Sequence, residues 1–178
     1  NNAGLAGKKL VLSDGAVNNY GSGLGARALE GARGILPGVF PSATFQTDLV
    51  AVDPGLKDMV FAAETYDAVV LAAVAAAAAE DDAGTSIAAS LVAVSGGTPA
   101  AGGPGAPGSQ PPGKSCTSYQ DCVGVLRAGQ RPDYDGQSGR INFDSHGDIT
   151  EANYMVSTYG EDNLPAVSGT EAASSSGA

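Results

Sequence analysis

The sequence predicts an α/β domain, and three observations carry that expectation. Short apolar runs bounded by turn residues, Lys8–Leu12 (KKLVL) and Arg33–Leu36 (RGIL), read as buried strands. Between and after them lie stretches of helical period, the longest being Phe61–Ala79, FAAETYDAVVLAAVAAAAA. Near the C-terminus the chain returns to a strand period in Arg140–Asp144 (RINFD) and Ala152–Tyr159 (ANYMVSTY).

Each element has a local cause. The first strand runs into Ser13, Asp14 and Gly15 and then a glycine-rich stretch to Gly25. In a parallel sheet the loop after a strand's C-terminal end is where ligands are met, so Asp14 stands well for binding; the competing role is a turn or N-cap aspartate. Ala26–Glu30 reads as one helical turn, and Pro37 and Gly38 stop the second strand. Ser42 caps an amphipathic helix over Ala43–Val52, with Phe45, Leu49 and Val52 expected inward.

In the long helix, Thr65 is the expected cap, and Tyr66, Val69, Val70, Ala73, Val74 and Ala77 form the expected apolar face. The other alanines favour helix at little entropy cost. Glu80, Asp81 and Asp82 end the pattern, with Gly84 as the stop. The run is too short and too rich in alanine for a membrane span and reads as a packed helix of a soluble domain. Thr85 then caps a helix over Ser86–Val94.

Ser95–Lys114 is rich in glycine and proline with little side chain to bury, which reads as an inserted surface loop, a domain boundary being the alternative. Ser118 and Asp121 have the form of a capping box for a helix that ends at Gly129. Ser145, His146, Gly147 and Asp148 form a polar connection, and 164–178 shows no pattern and reads as a disordered tail.

Nine basic residues against nineteen acidic ones leave a net charge of −10, which argues against nucleic acid or an anionic membrane as partner. The two cysteines, Cys116 and Cys122, are too few for an ordinary zinc site beside the single His146. Their spacing is wider than a redox C-x-x-C pair and favours a structural disulfide, hence an oxidising compartment, with two buried free thiols as the alternative. No nucleophile is framed around His146, and no phosphate loop is present. Asp144, Asp148 and Glu151 lack the alternating pattern of a calcium loop. No cofactor, metal or enzymatic activity is expected.

Six stretches, in order, resemble one family. They are Leu10–Gly15 (LVLSDG), Ala28–Gly38 (ALEGARGILPG), Ala51–Asp58 (AVDPGLKD), Ala62–Ala73 (AAETYDAVVLAA), Ser115–Gly129 (SCTSYQDCVGVLRAG) and Tyr134–Tyr154 (YDGQSGRINFDSHGDITEANY). Together they are similar to the solute-binding proteins of branched-chain amino-acid ABC transporters, in the actinobacterial style. That resemblance implies a type I periplasmic-binding fold, with two α/β lobes joined by a hinge around a ligand cleft. It implies an extracytoplasmic protein, possessing a lipid anchor in some cells, that hands an amino-acid-like ligand to a transporter permease.

Two-lobed proteins of this kind are about twice this length, and the chain resembles their C-terminal half. The expected organisation is a second-lobe segment at 1–60, first-lobe helices at 61–94, the loop at 95–114, a disulfide-tied helix and return strands at 115–163, and the tail. A missing N-terminal half or a partner chain would complete the cleft. By the same resemblance Asp14 holds the ligand ammonium beside Gly15. Ala63, Glu64 and Tyr66 face the cleft at the start of the long helix, and Tyr20 is a lesser candidate to cover it. The alternative is a secreted structural fragment that associates through uncovered surfaces.

Overall fold

The computed structural model describes residues 9–99 and 112–174, which fall into two compact units. The chain builds part of unit 1 up to Val39, passes through unit 2 from Phe40 to Ala152, and returns to unit 1 at Asn153. The division falls at 39/40 and 152/153 rather than at the segment limits 60/61 and 163/164 expected from sequence. It moves the helix after Ser42 into the same unit as the long helix.

Unit 1 is a four-stranded mixed sheet. Its strands are β1 (Val11–Leu12), β2 (Arg33–Pro37), β5 (Glu151–Tyr159) and β6 (Pro165–Ser174), in the order β1-β2-β5-β6. β1 pairs β2 in parallel and β2 pairs β5 antiparallel. The register sets Gly34 opposite Ser157 and Leu36 opposite Met155, and all four are buried. Alternate residues Arg33 and Thr158 face water, so one face of this pair is covered and the other is not.

Unit 1 has two further ties. Buried Asn163, held in the left-handed region at φ 60°, accepts from the Leu29 N–H (2.9 Å) and donates to the Gly25 carbonyl (2.9 Å). The Tyr159 hydroxyl donates to the Asn18 carbonyl and accepts from its N–H, each at 3.0 Å. These bonds order the glycine-rich segment, where Ala26–Glu30 forms turns instead of the expected helical turn. Arg27, at φ 63°, is incompatible with a continuing right-handed helix.

One further expectation for unit 1 needs correction. Residues Pro165–Ser174 are not a patternless tail but strand β6, because the short connection 160–164 turns them back beside β5. Residues 175–178 lie outside the described residues, as do the first residue of the expected strand Lys8–Leu12 and the centre of the glycine- and proline-rich loop, 100–111.

Unit 2 is built on three helices in sequence, α1 (Ala43–Val52), α2 (Ala62–Ala79) and α3 (Gly84–Val94). A parallel pair follows, β3 (Lys114–Cys116) with β4 (Pro132–Tyr134), joined through α4 (Tyr119–Arg127). α2 packs on α3 and α4. Its Val70, Leu71, Val74 and Ala75 form one apolar cluster with Val94, Val125, Tyr134 and Ile141. Full burial of each large aliphatic there contributes about 1.5–3 kcal/mol.

The inward face of α2 differs from the one expected. Buried positions are Ala63, Asp67, Val70, Leu71, Val74 and Ala75, while Val69 is 67 % exposed and Tyr66 40 % exposed. The apolar period read from sequence skipped Asp67 because a carboxylate counts as polar. Its bonds, described below, let it face inward and rotate the stripe. Thr65 lies inside the helix; the cap position is Phe61, in the left-handed region. At the other end Glu80, also left-handed, ends the helix, and Gly84 is the first residue of α3 instead of a stop. Thr85 likewise lies within α3, whose start is held by Asp81, accepting from the Ala83 N–H (3.1 Å) and the Ser86 hydroxyl (2.5 Å). By length and hydropathy alone α2 is apolar enough to cross a membrane, and a third of it is buried in the fold.

Other elements follow the sequence closely. Ser42 accepts from the Phe45 N–H (3.2 Å) and caps α1, although Val52 is 88 % exposed rather than inward. Ser118 accepts from the Asp121 N–H (3.2 Å), and the Asp121 carboxylate reaches back to the Thr117 N–H (3.2 Å). Cys116 and Cys122 form a disulfide that fastens β3 to α4. Arg140–Asp144 does not form a strand: Ile141 plugs the core, and only Phe143 makes a bridge, to Ile149.

Candidate functional site

The sequence-predicted ligand residues fall into two groups, one in each unit. In unit 1, β1 leads into a 3-10 turn over Asp14–Ala16, closed by Ala16 N–H to Ser13 C=O (2.8 Å). The loop can lie close on β2 because Gly34 has no side chain; a Cβ there would stand 2.8 Å from a Val17 methyl. The Tyr20 hydroxyl donates to the Ala16 carbonyl (2.8 Å) and its ring packs on Tyr159, so Tyr20 braces its own loop. Asp14 and Gly15 are exposed at the tip. Among the described residues nothing hydrogen-bonds to the Asp14 carboxylate, so it does not serve as a side-chain cap for its own turn. An exposed carboxylate not consumed by its turn is chemically able to take an ammonium group.

In unit 2, Ala63, Glu64 and Tyr66 lie in the first two turns of α2 but differ in burial. Ala63 is wholly buried and presents no surface to a ligand. Glu64 is half-buried. The Tyr66 ring meets Phe45 of α1 edge-on at 5.1 Å, which leaves it partly exposed. The aromatic pair ties α1 to α2.

Sequence reasoning passed over the acidic group with the most hydrogen bonds among the described residues. Asp67, 2 % exposed, accepts from the Tyr134 hydroxyl (2.8 Å), the Gln137 N–H (2.8 Å), the Ser138 N–H (2.7 Å) and the Ser138 hydroxyl (2.6 Å). Four donors replace the water a buried carboxylate loses. The turn comes close enough only because residue 136 is glycine; a Cβ on Gly136 would collide with the Asp67 carboxylate. Burial, then the hydrogen bond and charge of Asp67, push the Tyr134 hydroxyl far above its ordinary pKa. With its lone pairs occupied, Asp67 is a clamp between α2 and the turn after β4, not a reactive group. The available signal was the pairing of an aspartate in helical register with Ala63 and Val70 and a later Gly-x-Ser turn, YDGQSG.

The remaining titratable groups are local. Asp144 accepts from the Asp148 N–H (3.0 Å) and the His146 N–H (2.8 Å), and these bonds, in that order, hold it below the usual carboxylate range. His146 is exposed in that turn. Among the described residues no group of three His, Cys, Asp or Glu side chains is placed to hold a metal. The chain matches no protein-family model, no curated protein and no solved structure.

Proposed function

We propose that the chain supplies half of an amino-acid-binding cleft in an extracytoplasmic solute-binding protein serving ABC-transporter uptake. The observation that carries this is the exposed Asp14 carboxylate, without a hydrogen-bond partner among the described residues, just after β1, a strand paired in parallel with β2. A ligand α-ammonium docks on Asp14 in a charge-assisted bond, and Gly15, with nothing within 4 Å of a Cβ position, lets the ligand approach the backbone. Of the α2 group, Tyr66 is exposed and Ala63 contributes packing only.

Two further facts support the proposal. The chain divides into two compact units, with unit 1 assembled from the segments before Phe40 and after Ala152, which suits a two-lobed architecture. The Cys116–Cys122 disulfide suits an oxidising, extracytoplasmic compartment. A further segment or a partner chain completes the cleft, and closure on the ligand presents the closed form to the permease. No covalent chemistry is involved.

Calorimetric titration of the protein isolated from its source, against a panel of aliphatic and polar amino acids, tests the assignment. Binding of one class is expected, with Asp14→Ala weakening it roughly 10- to 100-fold, the range for losing a hydrogen bond to a charged group. Unchanged affinity in Asp14→Ala removes Asp14 from the site. A structural, self-associating role is favoured by a different observation, the ten-residue strand β6 at the end of the unit 1 sheet, exposed along nearly all its length.

A further inference from the structure

Strand β6 carries that second role to a specific geometry. It closes one end of the sheet order and pairs with β5 on one side, so among the described residues its other edge has no partner strand. Nine of its ten residues are exposed. Natural edge strands are short, bulged, or guarded by charges and prolines, because an open row of N–H and C=O groups templates pairing with another chain. β6 (PAVSGTEAAS) has one charge, Glu171, and its single proline, Pro165, stands at the first position, where it costs at most a terminal ladder bond.

We propose that β6 is a self-association edge, pairing antiparallel with β6 of a second copy about a two-fold axis at Gly169. The opposite end of the sheet decides the partner strand: β1 spans only Val11–Leu12, too short to receive a ten-residue ladder, so a head-to-tail stack of β6 on β1 is disfavoured. Charge decides the direction. In a parallel in-register pair Glu171 would face Glu171 of the other copy across about 5 Å, a destabilising arrangement. In the antiparallel pair centred on Gly169, Glu171 lies opposite Val167, and the two glutamates are four residues apart along the strand. That is about 13 Å, beyond the screening length of about 8 Å at physiological ionic strength. A Cβ at Gly169 meets nothing within 4 Å, so the axis position is open.

The proposal rests on the self-associating role for the fact of association and adds the segment, symmetry and register. Sedimentation velocity on the full chain reads the dimer constant for wild type and two variants at Val167, which is 53 % exposed. Val167→Lys places opposite charges across both symmetric Val167–Glu171 positions and is expected to tighten the dimer roughly five-fold; Val167→Glu places like charges there and is expected to weaken it by a similar factor. Circular dichroism confirms that both variants stay folded, and Gly169→Cys is expected to give a covalent dimer on mild oxidation. A chain monomeric at every accessible concentration overturns both the register and the self-associating role. A dimer indifferent to both Val167 variants, or shifted the same way by both, overturns the β6 register while leaving association intact.

Discussion

Unit 2 closes around an apolar cluster of ten buried residues, among those described, drawn from α2, α3, α4, the β3–β4 pair and the segment after it, and adds a disulfide and the Asp67 clamp. In unit 1 the apolar cluster is Leu29, Ala32 and Tyr159, and much of the order comes from single polar ties through Asn163 and Tyr159. The difference is physical in origin: helices packed on helices cover one another, whereas a sheet needs a second layer on each face, and β6 has neither face covered. Unit 2 is therefore expected to behave as the more stable of the two, and unit 1 to be where added surface from another chain would matter most.

The largest test of that contrast is Asp67→Ala, which strands the Tyr134 hydroxyl and the N–H groups of Gln137 and Ser138 in the interior. A loss of about 3–5 kcal/mol is expected in urea denaturation. A loss below about 1 kcal/mol would show that the turn is held by something other than the carboxylate. Reduction of the Cys116–Cys122 bond, or Cys122→Ser, releases a short loop and is expected to cost about 2 kcal/mol in the same unit by the chain-entropy relation. In unit 1, Asn163→Ala removes two hydrogen bonds to the glycine-rich segment and is expected to cost about 2 kcal/mol. Hydrogen exchange should show the loss confined to residues of unit 1. Protection lost equally in unit 2 would break the contrast.

A smaller effect concerns pH. Burial, reinforced by the Asp135 charge, raises Asp133 above the usual carboxylate value, with Arg140 and Arg131 opposing. A raised acid favours its protonated form in the folded state, so ionisation of Asp133 opposes folding. Its contribution improves as pH falls through the folded pKa, the reverse of ordinary acid denaturation. Asp133→Asn is thus expected to raise the denaturation midpoint at pH 7, with the gain shrinking as the pH drops through the carboxylate range. Asp81 and Asp144 have the opposite sign: hydrogen bonds depress both, and their contributions fade only as pH falls through those lowered values. A midpoint for Asp133→Asn that tracks wild type throughout would place Asp133 in a wetter site than its burial implies.

How much was legible depended on whether the controlling contacts were close in sequence. The Ser42 and Ser118 caps, the stop at Gly129 and the β2 run each depend on groups within a few residues, and the structure places all of them as the local chemistry requires. The Cys116–Cys122 bond is equally local. The inward face of α2 was not legible, because burying Asp67 depends on donors some seventy residues later. Nor was β6: a string of Ala, Ser and Gly has no period, and only β5 beside it supplies the ladder partners that make it a strand. Of the binding candidates, sequence marked Asp14 and Gly15 at a strand end, while the fold sorted Ala63 inward and Tyr66 outward on one helical turn.

By itself, then, the sequence determined the α/β character, the caps of α1 and α4, the closeness of the two cysteines and the acidic charge, since each follows from short-range sterics, capping or composition. Tertiary structure alone decided which face of α2 turns inward, where the chain crosses between units, and that its last described residues form an open edge. Those outcomes rest on hydrogen-bond partners and covering layers that no local stretch contains.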